Sequence, residues 1–170
     1  PLHPETPAEG QTLEQLFAGR PINVEEMVTH LQQVASDLGL PFGERTMTFN
    51  SRHAQELGKW AEEQGRGEHF HRAVFRAYFA DGKNIGNSDV LAEVSRLAGL
   101  SGSNAREIIK SRTFSQAVDD DWERSFRSGI TAVPTFRMGE QELVGAQPAT
   151  VLERFLLDRG VSLRTAGQST

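Results

Sequence analysis

Apolar residues recur at helical spacing through most of the first 127 residues, and the pattern changes to short extended runs after Gly129. The spacing predicts five or six consecutive helices. Polar N-caps and glycine stops bound several of them. The predicted helices are 24–38, 51–64, 68–80, one opened by Asn87 or Ser88, a short one opened by Ser103 or Asn104, and 113–127.

The segment 68–80 is apolar around most of its circumference, unlike the one-sided helices on either side of it. A helix of this kind is normally surrounded by other elements. We therefore expect it to be the most buried helix of the chain. Phe70, Val74, Phe75 and Tyr78 are expected to be largely buried, and we expect Phe75→Ala to lower the free energy of unfolding by about 3–5 kcal/mol.

The C-terminal part begins with Val133-Pro134 at the start of a predicted strand. Proline has no N–H to donate to a strand ladder, so a strand start suits it. Two short strands, 134–138 and 141–144, are predicted to form a hairpin through Gly139-Glu140. Gln147-Pro148 then opens a last helix, and the tail 164–170 is expected to be disordered.

A two-stranded hairpin is not stable on its own, so this hairpin is expected to need partner strands. The other candidates lie at or before residue 1, and the chain starts with proline rather than methionine. We therefore expect a segment that precedes this sequence.

Composition narrows the classes of function. Hydrophobic content of 37% and charged content of 24% are typical of a folded globular protein, and a net charge of −5 argues against a nucleic-acid partner. No apolar run approaches the ~20 residues of a membrane span. No signal-peptide pattern is visible, and we expect a cytoplasmic location.

Zero cysteines exclude a thiol nucleophile or a disulfide within these residues.

Neither a metal site nor a cofactor is predicted. His69 and His71 point in different directions on a helix, and Asp119-Asp120-Asp121 fan around a helix axis and form a solvated face. The segment that starts at Asp81 fails as an EF-hand because Ala92 stands where glutamate is required. Gly-x-Gly-x-x-Gly and P-loop motifs are absent from the sequence.

Five separated motifs occur in one order along the chain. They are Pro1-Leu2-His3-Pro4 with Pro7-Ala8-Glu9-Gly10; Asn50-Ser51-Arg52-His53-Ala54 with Leu57-Gly58-Lys59-Trp60-Ala61; Phe75-Arg76-Ala77-Tyr78-Phe79 with Gly82-Lys83-Asn84-Ile85-Gly86 and Val90-Leu91; Gly129 to Phe136; and Val144-Gly145-Ala146-Gln147-Pro148. Together they resemble the DsbA-like thioredoxin family, and its FrnE-type branch of thiol–disulfide oxidoreductases in particular.

The resemblance implies an α/β, thioredoxin-like fold of DsbA type with a large inserted helical domain. It assigns residues 1–11 and 126–160 to the thioredoxin-like portion, 12–125 to the insertion and 161–170 to a flexible tail. It also implies that the first strand and the Cys-x-x-Cys helix of the family precede residue 1. This cysteine-free chain is itself expected to be redox-inactive.

In the family, a loop with a cis proline faces the redox motif and pairs with an extended substrate. Carried over to this sequence, Thr131, Ala132, Val133 and Pro134 line the substrate site, and the Val133–Pro134 bond is expected to be cis. Gln147 is a further candidate, at the helix start where glutathione-using relatives hold a carboxylate. The favoured alternative is that this helix start is capped by its own side chain, Gln147, or by water.

Three functions remain open. The first is protein disulfide oxidoreduction, with protein thiols and disulfides as partners and the cysteines upstream. The second is a glutathione-dependent isomerase or transferase of the hydroxychromene-carboxylate isomerase or kappa type, in which a serine replaces the redox pair and a glutathione-like small molecule binds. The third is a non-catalytic binding module. The motif upstream of Pro1 would discriminate between them.

Overall fold

The computed structural model describes residues 3–162, which fall into two compact units. The first unit is His3–Trp122, and the second runs from Glu123 to the end of the described residues. The tail 164–170, predicted to be disordered, lies outside the described residues.

The first unit is mostly helical. Its one strand pair joins β1 (Gln11–Thr12) to β2 (Met47–Thr48) in antiparallel register, with Gln11 opposite Thr48. The helices are α1 (Leu13–Leu16), α2 (Val24–Asp37), α3 (Arg52–Glu63), α4 (Gly67–Phe75), a π-helix (Arg76–Ala80), α5 (Ser88–Leu97), α6 (Gly102–Ser111) and α7 (Ser115–Arg127), whose end belongs to the second unit.

Of the two helix starts predicted from caps, that of α5 is confirmed and that of α6 is not. The Asn87 side chain accepts from the backbone N–H groups of Asp89 and Val90 and so begins α5. The start of α6 was expected at Ser103 or Asn104, but Ser101 accepts from the N–H of Asn104 and the helix begins at Gly102. The helix begins earlier than predicted because the hydroxyl of an N-cap serine accepts from an N–H two to three residues further along the chain.

The core of the first unit is formed by α3 to α6, where α5 packs on α6 and α3 on α4. Phe70, Leu57, Ala61 and Leu91 are fully buried there. Burial of large apolar side chains is the main favourable term in folding, so these residues hold the unit together. Other members of the core are Ala54, Trp60, Ala77, Ile85, Val94, Ala98, Ala105 and Ile109.

The prediction for segment 68–80 is wrong in part. Phe70 is fully buried, but Phe75 is 61% exposed, and Val74 and Tyr78 are only half-buried. The α-helix changes to a π-helix at Arg76, and the wider π turn moves the side chains away from the faces that a period of 3.6 assigns to them. One side of this segment therefore stays open.

A glycine ties the loop before β2 to the end of the π-helix. The N–H of Gly43 donates to the carbonyl of Phe79 over 2.9 Å. A Cβ atom at position 43 would lie 2.2 Å from the carbonyl oxygen of Ala80, closer than any real contact. The loop reaches this position only because residue 43 has no side chain.

The N-terminal segment of the first unit is held by two asparagines. Asn50 Nδ2 donates to the carbonyls of Thr6, over 2.8 Å, and Pro4, over 3.4 Å. Asn84 Nδ2 donates to the carbonyl of Ala8 over 3.1 Å. These bonds satisfy the backbone carbonyls of a segment that forms few strand-ladder hydrogen bonds. Thr6 in this segment is buried, with 3% of its surface exposed.

The described part of the second unit holds the end of α7, a hairpin and the helix that follows the hairpin. Strands β3 (Thr135–Met138) and β4 (Gln141–Val144) are antiparallel, with Thr135 opposite Val144, which confirms the predicted hairpin. Helix α8 (Ala149–Leu157) follows and buries Phe155. Val151 and Leu156, which the pattern places on the same inner face, are 39% and 43% exposed.

Candidate functional site

The candidate loop lies between the end of α7 and the start of β3, within the second unit. Gly129 has φ 72°, the left-handed conformation that glycine adopts at helix ends, and the chain there leaves α7. The peptide bond between Val133 and Pro134 is cis, as the sequence pattern predicts. Thr131, Val133 and Pro134 are exposed and Ala132 is half-buried.

Hydrogen bonds fix this loop on both sides of Val133. The hydroxyl of Thr135 donates to the carbonyl of Ala132 over 2.7 Å. The N–H of Gly145 donates to the carbonyl of Pro134 over 2.8 Å, which extends the β3–β4 ladder by one step. Gly145 has φ 88°, where a residue with a side chain would be strained.

Val133 itself has free backbone groups. Among residues 3–162, no hydrogen bond is formed by its N–H or its carbonyl, and its side chain is 64% exposed. The chain bends at this residue. Exposed backbone donor and acceptor groups of this kind are able to pair with an added strand.

Gln147 lies at the same end of the hairpin as this loop. Its side-chain Nε2 donates to the carbonyl of Val144, the strand partner of Thr135, over 3.0 Å. The expected cap of α8 by Gln147 is therefore wrong. Pro148 occupies the N-cap position and makes no side-chain hydrogen bond, because its ring has no acceptor atom. The Gln147 amide turns back to the strand instead.

The acidic run Asp119-Asp120-Asp121 is not simply the solvated face that the sequence predicts. Asp119 accepts from Arg52 Nη1 over 2.6 Å, and Asp121 pairs with Lys59 over 2.5 Å. Arg52 also donates to Glu56 over 2.7 Å. The carboxylates bind cations of the protein itself, and among the described residues there is no cluster of three or more groups able to hold a metal ion.

The hydrogen bonds among these charged groups shift the pKa values of Asp119, Arg52 and Glu56. The hydrogen bond from Arg52 holds the pKa of Asp119 below its usual value, and the bond to Asp119 raises the pKa of Arg52. Burial by itself would raise the pKa of Glu56, but hydrogen bonds from Arg112 and Arg52 outweigh that effect and lower it. Asp119, Arg52 and Glu56 are therefore ionised near neutral pH.

Sequence reasoning missed two features, an apolar cavity beside α3 and α4 and the buried carboxylate of Glu56. The dense aromatic content of segment 70–79 is the signal that could have indicated the cavity. The i,i+4 spacing of Arg52 and Glu56 is a local signal of an ion pair, but no local signal marks Arg112, which lies 56 residues away in the chain.

None of the helices formed by residues 3–162 has the length and apolar character that crossing a membrane requires.

Comparison with solved structures relates the whole fold to known proteins. A crystal structure described as a probable DsbA oxidoreductase from Streptomyces coelicolor superposes with a TM-score of 0.79 at 23% identity, over 96% of this chain and 75% of that one. A structure of 2-hydroxychromene-2-carboxylate isomerase superposes with a TM-score of 0.67 at 19% identity, over 81% of this chain and 71% of the other. At these identities the likeness establishes the fold.

Comparison of sequences gives the family. The chain is 27% identical over 139 residues to the uncharacterized protein YwbO of Bacillus subtilis (strain 168), which covers 76% of this chain and 66% of the Bacillus protein. The chain therefore spans slightly less than two thirds of that relative. The family model for the DSBA-like thioredoxin domain matches residues 1–157. The chain belongs to the DSBA-like thioredoxin domain family.

Proposed function

We propose that this chain forms the substrate-binding loop and the helical domain of a FrnE-type thiol–disulfide oxidoreductase. The observation that carries the proposal is the exposed Val133, whose backbone N–H and carbonyl are free among the described residues beside the start of β3. Family membership adds the chemistry that such a loop serves. In this proposal residues 1–11 and 126–160 belong to the thioredoxin-like portion and 12–125 to the insertion.

The loop would bind an extended segment of a substrate protein. Val133 offers one donor and one acceptor, and the substrate backbone would pair with both, as an added strand does. The Ala132 carbonyl is already bonded to Thr135 and the Pro134 carbonyl to Gly145, so neither competes for the substrate. Thr131 and Gln147 would lie at the edges of the same site.

The redox step requires sulfur that this chain does not contain. A thiolate attacks one sulfur of the substrate disulfide and forms a mixed disulfide, and the other substrate sulfur leaves as a thiolate. A second enzyme thiolate then releases the substrate as a dithiol, and the enzyme pair becomes a disulfide. The chain has zero cysteines, so we propose that both thiols come from a Cys-x-x-Cys motif outside these 170 residues.

A glutathione-dependent isomerase or transferase is the second candidate. What supports it is the fold shared with 2-hydroxychromene-2-carboxylate isomerase. The absence of cysteine is compatible with it, because a serine-based site needs no thiol in the protein. The third candidate, a non-catalytic binding module, is favoured only if the full coding region supplies neither motif. We also propose a cytoplasmic location.

The test uses the full coding region that contains these 170 residues. If it encodes a Cys-x-x-Cys motif, we expect the purified protein to catalyse reduction of insulin disulfides by dithiothreitol, and a double Cys→Ser variant to lose this activity. A cysteine-containing protein without disulfide exchange on insulin or on a scrambled ribonuclease contradicts the proposal. A coding region without cysteine also contradicts it, and a serine at the motif position then favours the isomerase.

A further inference from the structure

The first unit contains an apolar cavity that the proposed function does not use. Its volume is about 340 Å³, and residues of α3, α4 and the π-helix form its wall. Four aromatic side chains contribute to that wall: Phe70, Phe75, Tyr78 and Phe79. A cavity of this size is in the range of small-molecule sites, which are lined mainly by apolar and aromatic groups.

The polar side chains of Ser51, Gln55 and Tyr78 in the wall are bonded to the protein. Gln55 Nε2 donates to Ser51 Oγ over 2.9 Å, and Gln55 Oε1 accepts from the indole N–H of Trp122 over 2.7 Å. The hydroxyl of Tyr78 accepts from Arg45 over 2.7 Å and lies 3.0 Å from the hydroxyl of Thr48. These groups are therefore occupied, and the wall offers a guest mainly carbon.

The wall also carries no permanent charge. Among the described residues that line the cavity there is no carboxylate, lysine or arginine, and His71 and Tyr78 are its titratable members. An anion would lose hydration there without gaining a fixed counter-charge. A cation would find the rings of Tyr78 and Phe79 already engaged by the guanidinium of Arg45, 4.8 and 5.1 Å from their centroids. The wall therefore favours an uncharged guest.

Phe75 and the π-helix keep the aromatic wall open. Phe75 is 61% exposed, and its ring centroid lies 6.0 Å from that of Phe79. Tyr78 meets Phe79 edge-on, with centroids 4.8 Å apart. Short π-helical segments are frequent at functional sites, and this one places Tyr78 and Phe79 on the wall.

We propose that this cavity binds an uncharged, planar aromatic molecule of about two fused rings. An apolar cavity of about 150 Å³ holds one benzene molecule, and the cavity of about 340 Å³ is a little more than twice that size. Aromatic rings prefer offset or edge-to-face contact with other rings, and the four aromatic side chains offer both faces and edges. This site lies wholly within the helical unit and does not depend on the redox chemistry proposed above.

The experiment titrates the 170-residue chain with 2-naphthol and with 2-naphthalenesulfonate by isothermal calorimetry. The two probes share one ring system and differ in charge. We expect one 2-naphthol per chain and a sulfonate affinity lower by roughly tenfold or more. Equal affinities for the two probes, or several weak sites per chain, would overturn the proposal.

Two further measurements locate the site. In methyl NMR spectra of the unaltered chain, 2-naphthol should shift the methyl groups of Ala54, Val74 and Ile85, which line the cavity, and leave Val118 unshifted. Val74→Trp should fill the cavity and abolish binding. Leu97→Trp, at a position that is 73% exposed and outside the wall, should bind normally. Shifts centred elsewhere, or full binding by a folded Val74→Trp variant, contradict the proposal.

Discussion

The guanidinium of Arg112 meets the buried carboxylate of Glu56 through two parallel hydrogen bonds. Nη2 lies 2.6 Å from Oε1, and Nε lies 3.0 Å from Oε2. The Glu56 side chain has no exposed surface. Arg112 follows α6 with φ 56°, a left-handed conformation that is unusual outside glycine. The pair joins the end of α6 to the middle of α3.

Removal of Arg112 should destabilise the protein. Arg112→Ala leaves the buried Glu56 carboxylate with Arg52 as its partner, and we expect the free energy of unfolding to fall by about 2–4 kcal/mol. The free energy of unfolding of Arg112→Lys should lie between those of the parent and Arg112→Ala, because lysine lacks the planar pair of donors. Chemical denaturation measures both. The control is Arg106→Ala, which removes an exposed pair with Asp89 and should change stability by less than about 1 kcal/mol. An Arg112→Ala variant as stable as the control contradicts the prediction.

The same carboxylate should make stability depend on pH. The pKa of Glu56 is lower in the folded protein than its ordinary value of 4.5, so the unfolded chain binds a proton first as the pH falls. The stability that this group contributes is thus present above its ordinary pKa and is lost as the pH falls through the folded value, below about pH 5.

The check compares the unfolding free energy of the parent and Glu56→Gln from pH 7 to pH 3. Glu56→Gln should be less stable at pH 7 and should lose less stability on acidification. Parallel pH curves for the two proteins would show that Glu56 does not titrate in this way.

Two phenylalanines five residues apart should respond differently to alanine. Phe70 is fully buried, and Phe70→Ala should lower the free energy of unfolding by about 3–5 kcal/mol. Phe75 is 61% exposed, and Phe75→Ala should lower it by less than about 1.5 kcal/mol. Thermal and urea denaturation of both variants test this, and equal losses would refute the assigned burial.

Asn50 should be required to hold the N-terminal segment. Asn50→Asp replaces the donor that faces the Thr6 and Pro4 carbonyls by an acceptor, and we expect a loss of about 1–3 kcal/mol. Hydrogen exchange should also become faster in residues 3–12. Asn104→Asp, in the first turn of α6, is the matched control and should leave exchange in this segment unchanged. Unaltered exchange in the Asn50→Asp variant counts against the assignment.

The proposed substrate site predicts a backbone effect at Val133. In the full-length protein, Val133→Pro removes the N–H that would pair with substrate, whereas Val133→Ala keeps it. We expect Val133→Pro to weaken binding of an extended peptide by about tenfold, the equivalent of one hydrogen bond, and Val133→Ala to bind nearly as the parent does. Peptide titration of variants with matched thermal stability measures the difference. Equal affinity of the two variants contradicts strand-like pairing.

Local pattern predicted those parts of the fold that depend on neighbouring residues. Helix α2, expected over 24–38, runs from Val24 to Asp37, and the hairpin β3–β4 agrees with the prediction to within one residue. Caps and turns act over three or four residues, so the sequence carries their signal directly.

Features that depend on distant residues were not predictable in this way. Periodicity places Val34 and Leu38 on the apolar face of α2, but they are 40% and 68% exposed. The pattern of apolar residues shows which face of the helix is apolar. It does not show how much of that face a neighbouring element covers. The Glu56–Arg112 pair and the cavity wall both join segments far apart in the chain, and no spacing rule connects them.

Gly43 has a consequence for variation within the family. Its backbone approaches Ala80 so closely that a side chain at position 43 would force the loop and the end of the π-helix apart. A homologue with a larger residue there must therefore place the loop differently against the segment 76–80. Position 43 should thus distinguish, in an alignment, the relatives that share this aromatic wall from those that do not.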